Sequence, residues 1–145
     1  MPIKQRIRRT GADVLVFWGE LLAKADNRRS PEFEHKIWHE IAVYQVEAAQ
    51  NFELEGEPPH YLLKVTLASC EPKQPAHEWA ALAAGEDVAA ALATYHPLSY
   101  LRGYPPLDRL ADLNASWRAK ITASWQQLCG EVLVRAAEKT DPVSG

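Results

Sequence analysis

The chain has 145 residues, of which 47% are apolar and 24% charged. This balance predicts one folded domain, residues 1–145, and excludes general disorder. The net charge of −3 is distributed unevenly: residues 1–30 carry +4, residues 31–87 carry −8 and residues 88–145 carry +1. No apolar run is long enough for a signal peptide or a membrane span, which predicts a soluble, cytoplasmic protein.

Residues 1–9 are predicted to be a basic N-terminal arm, disordered and solvated. Its four cations are Lys4, Arg6, Arg8 and Arg9. A first helix is predicted to begin after Thr10, which can cap it together with Asp13. Apolar residues then recur at helical spacing, namely Val14, Phe17, Trp18, Leu21, Leu22 and Ala25.

A second helix is predicted to begin at Ser30, Pro31 and Glu32, which are an N-cap, a first-turn proline and an acid at the positive end of the helix dipole. One face of this helix would hold Phe33, Ile37, Ile41, Tyr44 and Ala48. Residues 51–69 change to a two-residue alternation around a Gly-Glu-Pro-Pro interruption, which favours a small β-hairpin over a helix from Tyr61 to Cys70.

The alanine-rich segment 76–95 is predicted to be helical, with Gly85 splitting it in two. A last helix is predicted to begin at Pro106 and Asp108. The apolar stripe of this helix would be Leu110, Leu113, Trp117, Ile121, Trp125, Leu128 and Val132. Residues 138–145 are predicted to form a frayed tail. The predicted fold is therefore a helix-dominated α+β domain with four to five helices and a small β-hairpin; the alternative is an all-α helical bundle.

His35 and His39 are four residues apart, so a helix would project both to one side, away from its apolar face. A catalytic zinc requires a third ligand and an open position. Neither zinc-protease pattern fits, because Lys36 and Trp38 occupy the positions where those patterns require glutamate. A metal site at His35 and His39 is thus an alternative hypothesis, an exposed histidine pair is favoured, and no cofactor is predicted.

The proline-rich segment after the alanine-rich region carries candidate partner-binding residues. Tyrosine and arginine are enriched where proteins bind partners, and prolines limit the freedom of the loop that displays them. The alternative is that these tyrosines anchor the loop to the ends of the helices. The candidates are Tyr95, His96, Tyr100, Arg102 and Tyr104.

The sequence contains no glycine-rich phosphate loop, no G-x-S-x-G elbow and no Cys-x-x-Cys pair. Its two cysteines, Cys70 and Cys129, are expected to be buried apolar residues. The favoured hypothesis is a non-catalytic accessory or interaction protein that binds a protein partner or its own copies. The alternatives are a metal-binding protein or enzyme that uses His35 and His39, and a nucleic-acid-binding subunit that uses Lys4, Arg6, Arg8 and Arg9.

Overall fold

The computed structural model describes residues 3–28, 37–54, 56, 59–69, 76–85, 87–99 and 115–140. These residues form five β-strands followed by two helices. The strands are β1 (Ile3–Arg9), β2 (Ala12–Asp26), β3 (Ile37–Ala49), β4 (His60–Ser69) and β5 (His77–Ala84), and the helices are α1 (Val88–Ala93) and α2 (Ala115–Thr140).

The five strands form one antiparallel sheet in which each strand pairs with the next along the chain. The prediction of a helix-dominated α+β fold with four to five helices is therefore wrong, as is the alternative of an all-α bundle. Most of the described residues lie in strands, and both predicted N-terminal helices are replaced by strands over their described residues.

A change of phase helps to explain why β2 resembles a helix in sequence. The pairing of β2 with β3 shifts register between Trp18 and Gly19, where the extra residue is Glu47 of β3, and again between Leu21 and Ala23, where it is Leu22 of β2. At the second bulge the buried positions of β2 change from Leu15 and Phe17 to Leu22, Ala23 and Ala25, so the two-residue alternation is not continuous. Gly19 is required at the first bulge, because a Cβ atom there would overlap the backbone carbonyl oxygen of Gln45.

The first strand corrects the prediction of a disordered N-terminal arm. Residues 3–9 form β1, which pairs with β2 through a two-residue turn at Thr10 and Gly11. Gly11 has a φ of 76°, a left-handed conformation that glycine adopts without strain. Thr10 therefore belongs to a hairpin turn rather than to a helix cap.

The central strand β3 resembles a helix in sequence because both of its faces are covered. Trp38 and Ala42 are buried on one face, and His39, Ile41 and Val43 on the other. With both faces apolar, the alternation that marks a strand is hidden, and the remaining pattern fits a helix.

The strand predicted for the second half of residues 51–69 is confirmed as β4, but its partners are β3 and β5. The residues expected to form the other arm of that hairpin, 51–54, are not in a strand. The alanine-rich segment contains β5 in its first half, and Gly85, with a φ of 59°, separates β5 from α1. Alanine has the highest helix propensity, but intrinsic propensities differ by less than about 1 kcal/mol per residue, so pairing with β4 overrides that preference here.

The last helix follows its predicted stripe. Ile121, Trp125, Leu128 and Val132 are all buried. Trp125, Leu128 and Val132 pack α2 against the sheet, together with Ile41, Val43, Leu63 and Val65 of the central strands and Leu92 of α1. The helix begins at Ala115 among the described residues and continues through Gly130 to Thr140, so residues 138–140 of the predicted tail are helical. Leu110 and Leu113 lie outside the described residues.

A second apolar cluster lies on the opposite face of the sheet. Ile7, Leu15, Phe17, Val46 and Leu62 are its buried members. Phe52 and Leu54 pack on it from the segment after β3. The sheet curls around this cluster until its ends meet, where the Thr10 N–H donates to the Glu78 carbonyl (2.8 Å) and the Glu78 N–H donates to Thr10 Oγ1 (2.8 Å).

Candidate binding surface

The β1–β2 hairpin carries a basic and partly apolar surface. Along β1, Lys4, Arg6 and Arg8 are exposed, whereas Ile7 between them is buried. Strand alternation therefore puts the three cations on one face. We call this surface the hairpin face, and its residues are Lys4, Arg6, Arg8, Val14, Val16 and Trp18.

The cations and the apolar residues of the hairpin face form two adjacent rows. Lys4 lies opposite Trp18 and Arg6 opposite Val16 in the pairing of β1 with β2. The Lys4 ammonium is 5.8 Å from the centre of the Trp18 ring, within the range of a cation–π contact. Val14 is 39% exposed, and Val16 and Trp18 are half-buried. The surface thus offers positive charge beside an accessible apolar strip.

The three cations are not neutralised by described neighbours. Lys4, Arg6 and Arg8 form no ion pair with any residue that the structure describes; the ion pairs found there are Lys64–Glu78 (3.1 Å) and Arg135–Glu131 (2.6 Å). The described acids nearest to the hairpin face along the paired strands are Asp13, just after the turn, Glu20, two residues beyond Trp18, and Glu47, next to Ala48, the β3 partner of Trp18. The hairpin face is therefore a local positive surface on a chain of net negative charge.

The hairpin face lies on the side of the sheet that carries α2. Glu20 pairs with Gln45, and the side chain of Gln45 lies on the same face as that of Val43, beneath α2. Trp18 is two residues before Glu20 in the same strand, so it lies on that face as well. Buried Leu22, Ala23 and Ala25 mark the part of β2 that α2 covers. Trp18, Val16 and Val14 lie on the part of β2 before it and retain exposure.

The structure brings together three of the four predicted nucleic-acid candidates. Arg9 differs, because its Nε donates to the backbone oxygen of Asp13 at 2.9 Å and its side chain is half-buried. The prediction assigned Phe17 and Trp18 alike to a helical stripe and so missed the apolar row. The alternation of Ile3, Gln5 and Ile7 with Lys4, Arg6 and Arg8 was the signal that could have identified a strand with one basic face.

The structure describes only one member of the histidine pair. His35 lies outside the described residues, and His39 belongs to β3 rather than to the predicted helix. The expectation that His39 is exposed is wrong, because its side chain is fully buried. Among the described residues, no three His, Cys, Asp or Glu side chains are grouped closely enough to hold a metal ion.

His39 instead lies in an aromatic cluster beneath α2. Its ring centre is 5.2 Å from that of Trp125 and 5.9 Å from that of Tyr95. Burial lowers the pKa of His39 to about 4, opposed by a hydrogen bond with the backbone of Pro97. The backbone N–H of His39 donates to Asn27 Oδ1 at 2.7 Å, and Asn27 Nδ2 donates to Ser124 Oγ at 3.0 Å. The neutral imidazole is thus a packed core residue.

The partner-binding candidates of the proline-rich segment are only partly described. Tyr95 is 3% exposed, with its ring centre 4.8 Å from that of Trp125 and 5.2 Å from that of Trp79. It anchors the start of the segment to the core, and His96 next to it is exposed. Tyr100, Arg102 and Tyr104 lie outside the described residues, so their role in partner binding stays a prediction.

An apolar cleft of about 440 Å³ lies between the sheet and the two helices. Tyr61 is the only side chain with a polar group among the residues that line it. The others are Leu22, Val43, Gly85, Val88, Ala89, Leu133, Ala136 and Ala137. Cys129 packs near this core, and burial raises the pKa of its thiol to about 11, as expected of a cysteine that acts as an apolar residue. Cys70 lies outside the described residues.

No protein-family model, no curated protein and no solved structure matches this chain. None of the described helices is long and apolar enough to cross a membrane.

Proposed function

We propose that the protein is a non-catalytic accessory or interaction protein that binds another macromolecule through its hairpin face. The observation that supports this proposal is the pair of rows on β1 and β2, with three exposed cations beside Trp18, Val16 and Val14. Binding surfaces commonly combine an apolar centre with charged groups that steer the partner. The non-catalytic part of the proposal rests on the sequence, which carries no recognisable catalytic motif.

The charge of the hairpin face favours an anionic partner over a second copy of the chain. Pairing two hairpin faces would bring Lys4, Arg6 and Arg8 close to their own copies, and like charges across an interface cost free energy. Cations along an edge strand also discourage pairing of that edge with a second strand. Self-association, one of the expectations from sequence, would therefore have to use another surface.

Site-specific photo-cross-linking tests whether the hairpin face is the contact surface. A photoreactive phenylalanine analogue would replace Val14 on the hairpin face, or Gln126, an exposed residue of α2 next to buried Trp125. Cross-linking in a lysate of the source cells should give a discrete adduct from position 14 and none from position 126. The same Val14 probe combined with Arg6→Gln should give less adduct.

The adducts would be treated with nuclease and with protease before analysis, so that the experiment reports the class of the partner as well as its position. An absence of adduct at position 14, or equal adducts at positions 14 and 126, would refute the hairpin face as the contact surface.

A further inference from the structure

We propose that the partner of the hairpin face is a single-stranded nucleic acid, an inference that rests on the function proposed above. The first reason is the regular spacing of its charges. Alternate residues of a strand repeat about every 6.6–6.8 Å, so Lys4, Arg6 and Arg8 form a line about 13 Å long. A linear row of cations matches a polymer with a regularly repeating charge, such as a phosphodiester backbone, better than it matches one isolated anion.

The second reason is the apolar row beside the cations. Neighbouring strands are about 4.8 Å apart, so Trp18 and Val16 lie directly next to Lys4 and Arg6. A single strand that laid its phosphates along β1 would place its bases over β2. Trp18 would provide a ring for stacking once the Lys4 ammonium, 5.8 Å from the centre of that ring, moves to a phosphate, and Val14 and Val16 would provide apolar contact with further bases.

The third reason concerns the form of the nucleic acid. In a duplex the faces of the bases are stacked on one another and are not available to a protein ring. The half-buried ring of Trp18 and the 39% exposed side chain of Val14 can contact base faces only in a single strand. Duplex would engage the three cations alone and would bind more weakly.

The acids and the remaining cation define the size of the site. Glu20 follows Trp18 on the same face, and Asp13 lies at the turn, so negative charge bounds both ends of the apolar row. Arg9 is held by the backbone oxygen of Asp13. The site therefore provides three phosphate contacts, which suits a short stretch of nucleotides and predicts modest, strongly salt-dependent affinity.

Fluorescence anisotropy with labelled oligo-dT of about 15 nucleotides tests this inference on the full-length protein. Three phosphate contacts predict that log K falls with log salt concentration with a slope of about −2, since each contact to a single strand contributes about 0.7. Arg6→Gln should reduce the magnitude of that slope by about 0.7. Trp18→Leu should weaken binding about tenfold and leave the slope unchanged, because it removes stacking and no charge.

The matched control is Lys120→Gln, which removes an exposed cation from α2 and should change neither affinity nor slope. Circular dichroism and melting of each variant establish that it is folded. Duplex of the same length and poly-glutamate serve as competitors, and both should compete less well than unlabelled oligo-dT.

The outcomes separate this inference from the proposed function. Failure of the protein to bind oligo-dT, or loss of binding with Lys120→Gln equal to that with Arg6→Gln, refutes the nucleic-acid inference. Equal competition by poly-glutamate, with no effect of Trp18→Leu, also refutes it and indicates an acidic protein partner. In either case a protein adduct at position 14 would leave the proposed function standing.

Discussion

His39 shows how the environment of one residue sets its chemistry. Its pKa falls from 6.5 to about 4 because burial disfavours the charged imidazolium. Between pH 6.5 and pH 4, His39 therefore binds a proton in the unfolded chain but not in the folded chain. Protonation of the unfolded state lowers the free energy of unfolding as pH falls through this window, by about 3 kcal/mol in total, with no further loss below pH 4.

Replacement of His39 with phenylalanine should remove this pH dependence, since the new ring can keep the contacts with Trp125 and Tyr95 and cannot titrate. Urea unfolding of the His39→Phe variant between pH 4 and pH 7 should show a shallower loss of stability than wild type. A weaker slope should remain, because burial also lowers the pKa of His77. His96→Gln, at an exposed histidine, is the control and should retain the wild-type slope. A slope of wild-type size in His39→Phe would mean that His39 is not the group responsible.

Replacement of glycine with alanine is expected to have opposite effects on stability at two positions. Gly19→Ala should destabilise the protein by about 2 kcal/mol or more, because its Cβ atom would overlap the Gln45 carbonyl oxygen and force β2 away from β3. Gly130→Ala should stabilise it by about 0.5–1 kcal/mol, because Gly130 lies inside α2 with open space around it. Thermal melts of both variants would decide, and a neutral Gly19→Ala would contradict the close approach of β2 and β3 at the bulge.

Among the elements, the last helix could be predicted from sequence and the strands mostly could not. The stripe through Ile121, Trp125, Leu128 and Val132 is regular because one side of α2 faces the sheet and the other faces solvent. The alternation in β4 was visible for a similar reason, since Leu63, Val65 and Leu67 face the helix while Lys64 and Thr66 lie on the other side. A helix or strand with one apolar and one polar side can therefore be recognised from its sequence.

The elements that the sequence misrepresents are those with two apolar sides or a broken phase. Both faces of β3 are buried, and the bulge at Leu22 breaks the phase of β2, so neither strand shows a clean alternation. The candidate site was affected in the same way. Its cations were identifiable as a group, but Trp18 and Val16 could join them only once β1 and β2 were known to pair, because strand pairing is not a local property of the chain.

The cleft between α1 and α2 predicts that a larger side chain from α1 would be stabilising. Both Ala89 and the next residue, Ala90, are exposed, but only Ala89 lines the cleft. Ala89→Leu should add about 1 kcal/mol, or about 4 °C in melting temperature, by covering apolar surface of the cleft. Ala90→Leu has the same helix propensity change and should be nearly neutral. Equal melting temperatures for the two variants would show that the cleft does not accept the side chain.

At the scale of the whole molecule, the curled sheet and the helix divide the apolar residues between two cores. One core lies between the sheet and the helices, and the other is enclosed by the curl of the sheet around Phe17. The hairpin of β1 and β2 takes part in the second core through Ile7 and Leu15. Its inward side is therefore fixed by packing, and its outward side is free to carry the cations of the hairpin face.

The two ends of the curled sheet meet at the hydrogen bonds between Thr10 and Glu78, and one of these bonds can be tested by itself. Thr10 Oγ1 accepts a hydrogen bond from the Glu78 N–H, and the two residues are exposed enough for water to compete. Thr10→Val keeps the shape of the side chain and removes the acceptor, so the loss in stability should be about 0.5–1 kcal/mol. The sharper readout is amide hydrogen exchange measured by NMR, in which the Glu78 amide should lose protection while amides within the β3–β4 pair keep theirs.

Thr122→Val is the matched control, because the Thr122 hydroxyl donates to the Arg118 carbonyl within α2. It should leave exchange at Glu78 unchanged. Because the turn at Thr10 also ends the hairpin that carries Arg8 and Val14, loosening it should reduce the order of that end of the hairpin face before it reduces global stability. Unchanged protection of the Glu78 amide in Thr10→Val would mean that packing around Phe17, rather than this hydrogen bond, holds the two ends of the sheet together.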